Sequence, residues 1–208
     1  MGKWLFLERR PDRPAGGDAF RRMFERLDPE FALAREAIQN AVDAAADEAH
    51  DSVIVEFEMR EDCDLEELLG PPFSDHASAN SYVEPDLRLP VEEARRSGRV
   101  LLIHDYGTTG LTGDMRNMRS NFYRLMGGLG GSEKPAGGGS YGFGKAAAVL
   151  NSQLFTVFAY TVTNEADGRS KLWGTSYLDP HKLGRNDSFD VGGICVDDYR
   201  YSLRKRQI

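Results

Sequence analysis

The spacing of apolar and polar positions changes several times along the chain, and each change marks an element. From residue 28 the apolar positions Leu33, Ile38, Ala41, Val42 and Ala45 fall on one helical stripe. Asp28 can cap that helix, Pro29 suits its first position and Glu30 lies near the positive end of its dipole, so the pattern predicts a helix running to about residue 49. Over 52–59 the period drops to two, with Val53, Val55 and Phe57 alternating against Ile54, Glu56 and Glu58, which predicts a strand. Residues 99–104 hold a Val-Leu-Leu-Ile run and predict a strand buried on both faces. Helices are expected over 114–126 and 145–151. Strands are expected over 154–163, 171–178 and 191–196, with a turn at 164–168 between the first two. Near the start, a short apolar run at 4–7 precedes a Pro/Gly/Arg loop around 11–17.

Between the first two strands, residues 60–98 read as an insertion: acidic, with Pro71-Pro72, a Ser/Asn/His-rich patch and a short charged helix near 91–96. A lone helix, a split strand pair and a later run of strands predict an α+β sandwich, with helices on one face of a mixed, mostly antiparallel sheet. The whole of 1–208 reads as a single domain, open to being the first part of a larger protein.

Composition narrows the partners. The chain has 208 residues, 40% of them hydrophobic, enough for one core and too many for global disorder. The formal charge of −7 argues against gripping nucleic acid through many phosphates, so DNA is expected only indirectly, through a neighbouring domain. Cys63 and Cys195 make neither a disulfide framework nor zinc spacing with the histidines. The apolar run at 4–7 is too short for a signal sequence, and no stretch suits a membrane span, so a cytoplasmic location is expected. Glycine is the anomaly: of 22 in the chain, 12 lie between Gly107 and Gly144.

Three constellations carry candidate chemistry. On the first helix, Glu36, Asn40, Asp43 and Asp47 share one face, since about 100° per residue sets them within roughly 60° of one another. A solvated polar face explains that equally well. A carboxylate one turn from a carboxamide can also manage a metal-bound water, the amide oxygen ligating Mg²⁺ and the carboxylate taking a proton. Second, His104-Asp105-Tyr106-Gly107-Thr108-Thr109-Gly110 follows the apolar strand. There an acid can accept from an exocyclic amine, and a glycine lets a flat base approach the backbone. A plain Asp-x-Gly turn has the same residues. Third, Gly137 to Lys145 (GGGSYGFGK) opens a helix, where converging N–H groups and a lysine suit an anion. Residues 139–145 match the spacing of a phosphate-binding P-loop, but Ala146 stands where the Mg²⁺-holding hydroxyl belongs and no strand precedes.

In this order the three resemble the boxes of the GHKL ATPase superfamily, the Bergerat-fold group of gyrase, the ninety-kilodalton chaperone, histidine kinases and MutL. MORC-like and chaperone-like bacterial ATPases look closest. Glu36-Ala-Ile-Gln-Asn40-Ala-Val-Asp43-Ala is similar to the family's E-x-x-x-N-x-x-D-A helix, and Asp105-Tyr-Gly107-Thr-Thr-Gly110 to its adenine box with one residue more. Gly139-Ser140-Tyr141-Gly142-Phe143-Gly144-Lys145 is similar to its second glycine box. The resemblance covers about 28–163 and implies a two-layer sandwich that binds ATP with Mg²⁺. By it Glu36 is the base that orients water, Asn40 the Mg²⁺ ligand, with Asp43 on the same face, and Asp105 the acceptor for the adenine amine, with Gly107 against the base and Gly110 at the lid. Residues 139–145 would face the phosphates through the backbone donors of Gly142 and Gly144 and through Lys145. Residues 108–139 would form a lid in which Ser132 and Lys134 add phosphate contacts.

The implied activity is slow ATP hydrolysis that drives lid closure and dimerisation, or motion of a partner domain. Two alternatives stand beside it. One is a nucleotide-gated interaction module without significant hydrolysis. The other is an α+β domain with no nucleotide site, its glycines serving as linker.

Overall fold

A computed structural model describes residues 3–8, 28–46, 53–83, 88–114, 117–126, 143–163, 170–184 and 187–196. In chain order the elements are β1 (Lys3–Glu8), α1 (Pro29–Asp43), β2 (Ile54–Arg60), α2 (Leu65–Leu69), α3 (Pro71–Val83), α4 (Arg88–Ser97), β3 (Val100–Tyr106), α5 (Asn121–Met126), α6 (Phe143–Leu150), β4 (Thr156–Val162), β5 (Ser170–Ser176), β6 (His181–Leu183) and β7 (Asp187–Val196). The described elements mix helices with antiparallel sheet, as an α+β reading requires. The single mixed sheet gives way to two sheets whose pairings are all antiparallel. One has five strands in the order β1-β7-β5-β4 with β6 on β7, and the other is the β2–β3 pair. No ladder joins them among the described residues; Val100 of β3 packs against the core cluster that also takes in Phe158 of β4, and Leu111 N–H donates to Thr161 Oγ1 of β4 at 2.9 Å.

Local chemistry places α1 as expected at its start. Asp28 Oδ1 accepts from the Glu30 and Phe31 amides, both at 3.1 Å, which satisfies two of the donors a helix start leaves bare. Its end differs. The alanines after Asp43 could continue the helix to 49, but the helix stops at Asp43 because backbone groups from another segment take over. Thr109 N–H donates to the Ala44 carbonyl at 2.8 Å, Ala46 N–H donates to the Gly107 carbonyl at 3.0 Å, and Ala45 bridges Thr108. Asp47 lies outside the described residues.

The segment 60–98 holds three helices, α2 to α4. Gly70 closes α2 at φ 77°, and Pro71-Pro72 open α3, where the missing N–H groups would have had no helical partner. The sparse apolar residues of this polar stretch reach the largest core: Leu65, Leu69, Phe73, Ala77 and Ala94 join Trp4, Leu154 and Leu178. Phe73 is 1% exposed and its ring lies 4.9 Å from that of Trp4. Burying such a side chain contributes about 1.5–3 kcal/mol.

β3 was expected to be buried on both faces, and it is not. Its pairing with β2 sets Phe57 opposite Ile103 and Met59 opposite Leu101 on one face, and that face is open, with Leu101 40% and Ile103 37% exposed. The helix expected over 114–126 is shorter as well. Ser120 Oγ accepts from Tyr123 N–H at 3.1 Å and donates to the Asp114 carbonyl at 2.7 Å, so it caps a helix that begins at Asn121.

Candidate functional site at the end of helix α1

α1 carries the first constellation, holds the second at its carboxyl end, and packs near its amino end on the helix that follows the third. Its Ala32 and Leu33 pack on Ala147 of α6, the helix opened by the glycine-rich tract. Its carboxyl end is held by the 107–109 backbone through the hydrogen bonds above. Segments about 65 and 110 residues away in sequence are thereby fixed to one 15-residue helix. The polar face of that helix is graded. Glu36 is 3% exposed, while Asn40 and Asp43, one and two turns on, are exposed.

A buried carboxylate needs compensation, because desolvating a charge is expensive. Arg35 supplies it: Nη2 lies 2.6 Å from Glu36 Oε1 as a charge-assisted hydrogen bond. Arg35 is itself half exposed. The buried end of this face is thus a neutralised pair with one partner facing water.

Asp105 is the last residue but one of β3, opposite Val55, and is exposed. One oxygen is occupied, since the Thr108 hydroxyl donates to Oδ1 at 2.7 Å, and the Gly110 amide points back at Thr108 Oγ1 at 3.4 Å. That small network fixes the carboxylate in orientation. Gly107 (φ 75°) and Gly110 (φ 67°) take left-handed conformations that let the chain turn so tightly. At Gly110 a Cβ would lie 2.7 Å from Thr161 Oγ1 and 3.0 Å from the Val162 carbonyl. This loop is seated directly on β4.

Of the third constellation, Phe143, Gly144 and Lys145 form the first turn of α6, which begins at Phe143. Gly139, Ser140, Tyr141 and Gly142, and with them Ser132 and Lys134, lie outside the described residues. The early part of the expected lid is anchored: α5 buries Phe122 and Met126 against Trp173, and Thr175 Oγ1 donates to the Met126 carbonyl at 3.0 Å.

Sequence reasoning passed over Arg35 and Thr161, which belong to this arrangement, and Thr108 and Thr109, named within the second constellation, gain specific partners. Arg35 stands beside Glu36 in the chain, so its pairing was within reach of inspection. The Thr108–Asp105 bond spans three residues and was equally local, whereas the partners of Thr109 and Thr161 are set by tertiary contact. Among the described residues no group of three or more His, Cys, Asp or Glu could hold a metal ion. No family model, no curated protein and no solved structure matches the chain.

Proposed function

We propose that the chain is an ATP-binding module of the GHKL type, with a Bergerat-like two-layer arrangement, that binds ATP with Mg²⁺ and hydrolyses it slowly to drive a partner domain or a second copy. The observation that carries the reading is the convergence on α1. The Glu36/Asn40/Asp43 face, the Asp105–Gly110 loop and the helix opened by the glycine tract are joined by backbone hydrogen bonds and packing. A chance match of three short motifs gives no reason for the elements that carry or follow them to share one helix. The resemblance in sequence order suggests the chemistry, and the packing on α1 supports it.

In this reading Asp105, oriented by Thr108, accepts from the exocyclic amine of the base, and the turn at Gly107 leaves room for the ring. Asn40 would hold Mg²⁺ through its amide oxygen. An ion held by one amide oxygen would keep most of its waters and take phosphate oxygens. When bound, Mg²⁺ would neutralise charge on the phosphates. The helix start at α6, with Lys145 in its first turn, would suit an anion. Glu36 orients the attacking water and accepts its proton, positioning being most of what phosphoryl transfer asks of a protein.

The test is Glu36→Ala. ATP binding, followed by titration calorimetry, should persist while hydrolysis is lost, and hydrolysis at the parental rate in that variant removes Glu36 as the base. A second reading is favoured by one observation: Arg35 already occupies Glu36 Oε1. If that pair persists with nucleotide bound, the module is a nucleotide-gated interaction domain with negligible turnover. A single-turnover assay with excess protein separates the two, since only the hydrolase yields ADP on the time scale of minutes.

A further inference from the structure

Away from α1, two of the four histidines of the chain meet in the interior. His76 of α3 and His181 of β6 are 8% and 2% exposed. His76 Nδ1 and His181 Nε2 are 2.7 Å apart, and His181 Nδ1 is 2.7 Å from the Asp179 carbonyl. A carbonyl only accepts, so His181 Nδ1 carries a proton and donates it. In the neutral ring Nε2 is then the acceptor, and His76 Nδ1 must be the donor across the pair. One proton arrangement satisfies every contact. Burial among aromatic rings opposes a charge on either ring, and a proton on both sets N–H against N–H and abolishes the bond. Aromatic rings enclose the pair: His76 stacks on Phe6 of β1 at 3.6 Å between centroids and meets Phe189 of β7 edge-on at 4.6 Å.

We propose that the His76–His181 pair is an acid-released latch, holding α3 on the five-stranded sheet while both rings are neutral and letting go on proton uptake. The pair spans α3 and β6, and the stacked rings extend the tie to β1 and β7. Burial lowers His76 from 6.5 to about 4, with His181 adding to the effect and Asp75 opposing it. Burial lowers His181 too, against the pull of Asp179. Of the other charged groups on these elements, Lys182 of β6 and Glu8 of β1 are exposed, and β7 carries Asp187 and Asp190 in sequence. The inference stands independently of the ATPase reading.

The sign follows from linkage. The released state binds protons from about pH 6.5 downward and the latched state does not, so latching is fully favoured above that and weakens as pH falls toward 4. For His76 alone, that difference makes opening about 30-fold more favourable at pH 5 than at pH 8. Hydrogen exchange, corrected for intrinsic rates, should show protection of the α3 and β6 amides falling by at least that factor between those pH values. In His76→Phe/His181→Phe, which keeps rings in the box, protection should stay level. An equal fall in the double variant overturns the latch. If that variant does not fold, imidazole nitrogen resonances of the parent decide. Both rings as neutral Nδ1–H tautomers down to pH 5.5 support the latch, and either ring titrating near 6.5 overturns it.

Discussion

The seat of the Asp105–Gly110 loop on β4 can be measured with one substitution and an internal control. In Gly110→Ala the new methyl group meets Thr161 Oγ1 at 2.7 Å, the Val162 carbonyl at 3.0 Å and Thr163 Cγ2 at 3.3 Å. Thr161 can rotate away, but the Val162 carbonyl belongs to the β4 backbone and cannot. Relief therefore requires the loop to retreat, which breaks the Leu111 N–H to Thr161 Oγ1 bond. Gly184→Ala is the control, because Gly184 shares the left-handed backbone at φ 72° but a Cβ there has nothing within 4 Å. The conformational cost common to both is about 1–2 kcal/mol. At Gly110 crowding adds about 1–3 kcal/mol and the lost hydrogen bond about 1 kcal/mol. Urea denaturation at pH 7.5 should place Gly110→Ala roughly 2–4 kcal/mol below Gly184→Ala in stability. Costs within about 0.5 kcal/mol of each other would refute a loop packed against β4. Combining Gly110→Ala with Thr161→Ala should recover part of the loss, since the nearest obstacle is gone.

Three further outcomes are expected. Phe73→Ala empties a site that is 1% exposed beside Trp4 and should cost about 3–5 kcal/mol by equilibrium denaturation; Phe57→Ala, at a 43% exposed position, should cost well under half of that. Asp28→Ala frees the Glu30 and Phe31 amides and should cost about 1 kcal/mol, whereas Asp28→Asn should restore most of it. Asp105→Asn should weaken ATP binding on the order of tenfold by calorimetry, about 1.4 kcal/mol, with the thermal midpoint hardly moved because the side chain is exposed. An unchanged affinity there would remove Asp105 from the site.

The open β2–β3 face has a counterpart on α1, where Phe31, Ile38 and Val42 are exposed along one stripe. Periodicity marked Ile38 and Val42 as core-facing, because an apolar stripe on a helix ordinarily is. Instead α1 turns its Ala32, Leu33, Glu36 and Ala41 inward. Small alanines allow α6 to come close, and the carboxylate is tolerated there because Arg35 pairs with it.

What the amino-acid sequence determined by itself is what local physics governs. The start of α1 was legible because Asp28, Pro29 and Glu30 act within one turn, and β2 because alternation is a short-range pattern. The candidate chemistry was legible as residue types at fixed spacing: Glu36 with Asn40 and Asp43, Asp105 with Gly107 and Gly110. The tertiary structure alone decided where α1 stops, since Thr109 and Gly107 capture the Ala44–Ala46 backbone across some 65 residues of chain. It alone turned the polar stretch 60–98 into core helices, because five scattered apolar residues suffice once Trp4, Leu154 and Leu178 are there to meet them. It also paired His76 with His181 across 105 positions. Caps, turns and periods are written into neighbouring residues, whereas a contact between distant segments exists only after both have folded, and its energy belongs to neither segment alone.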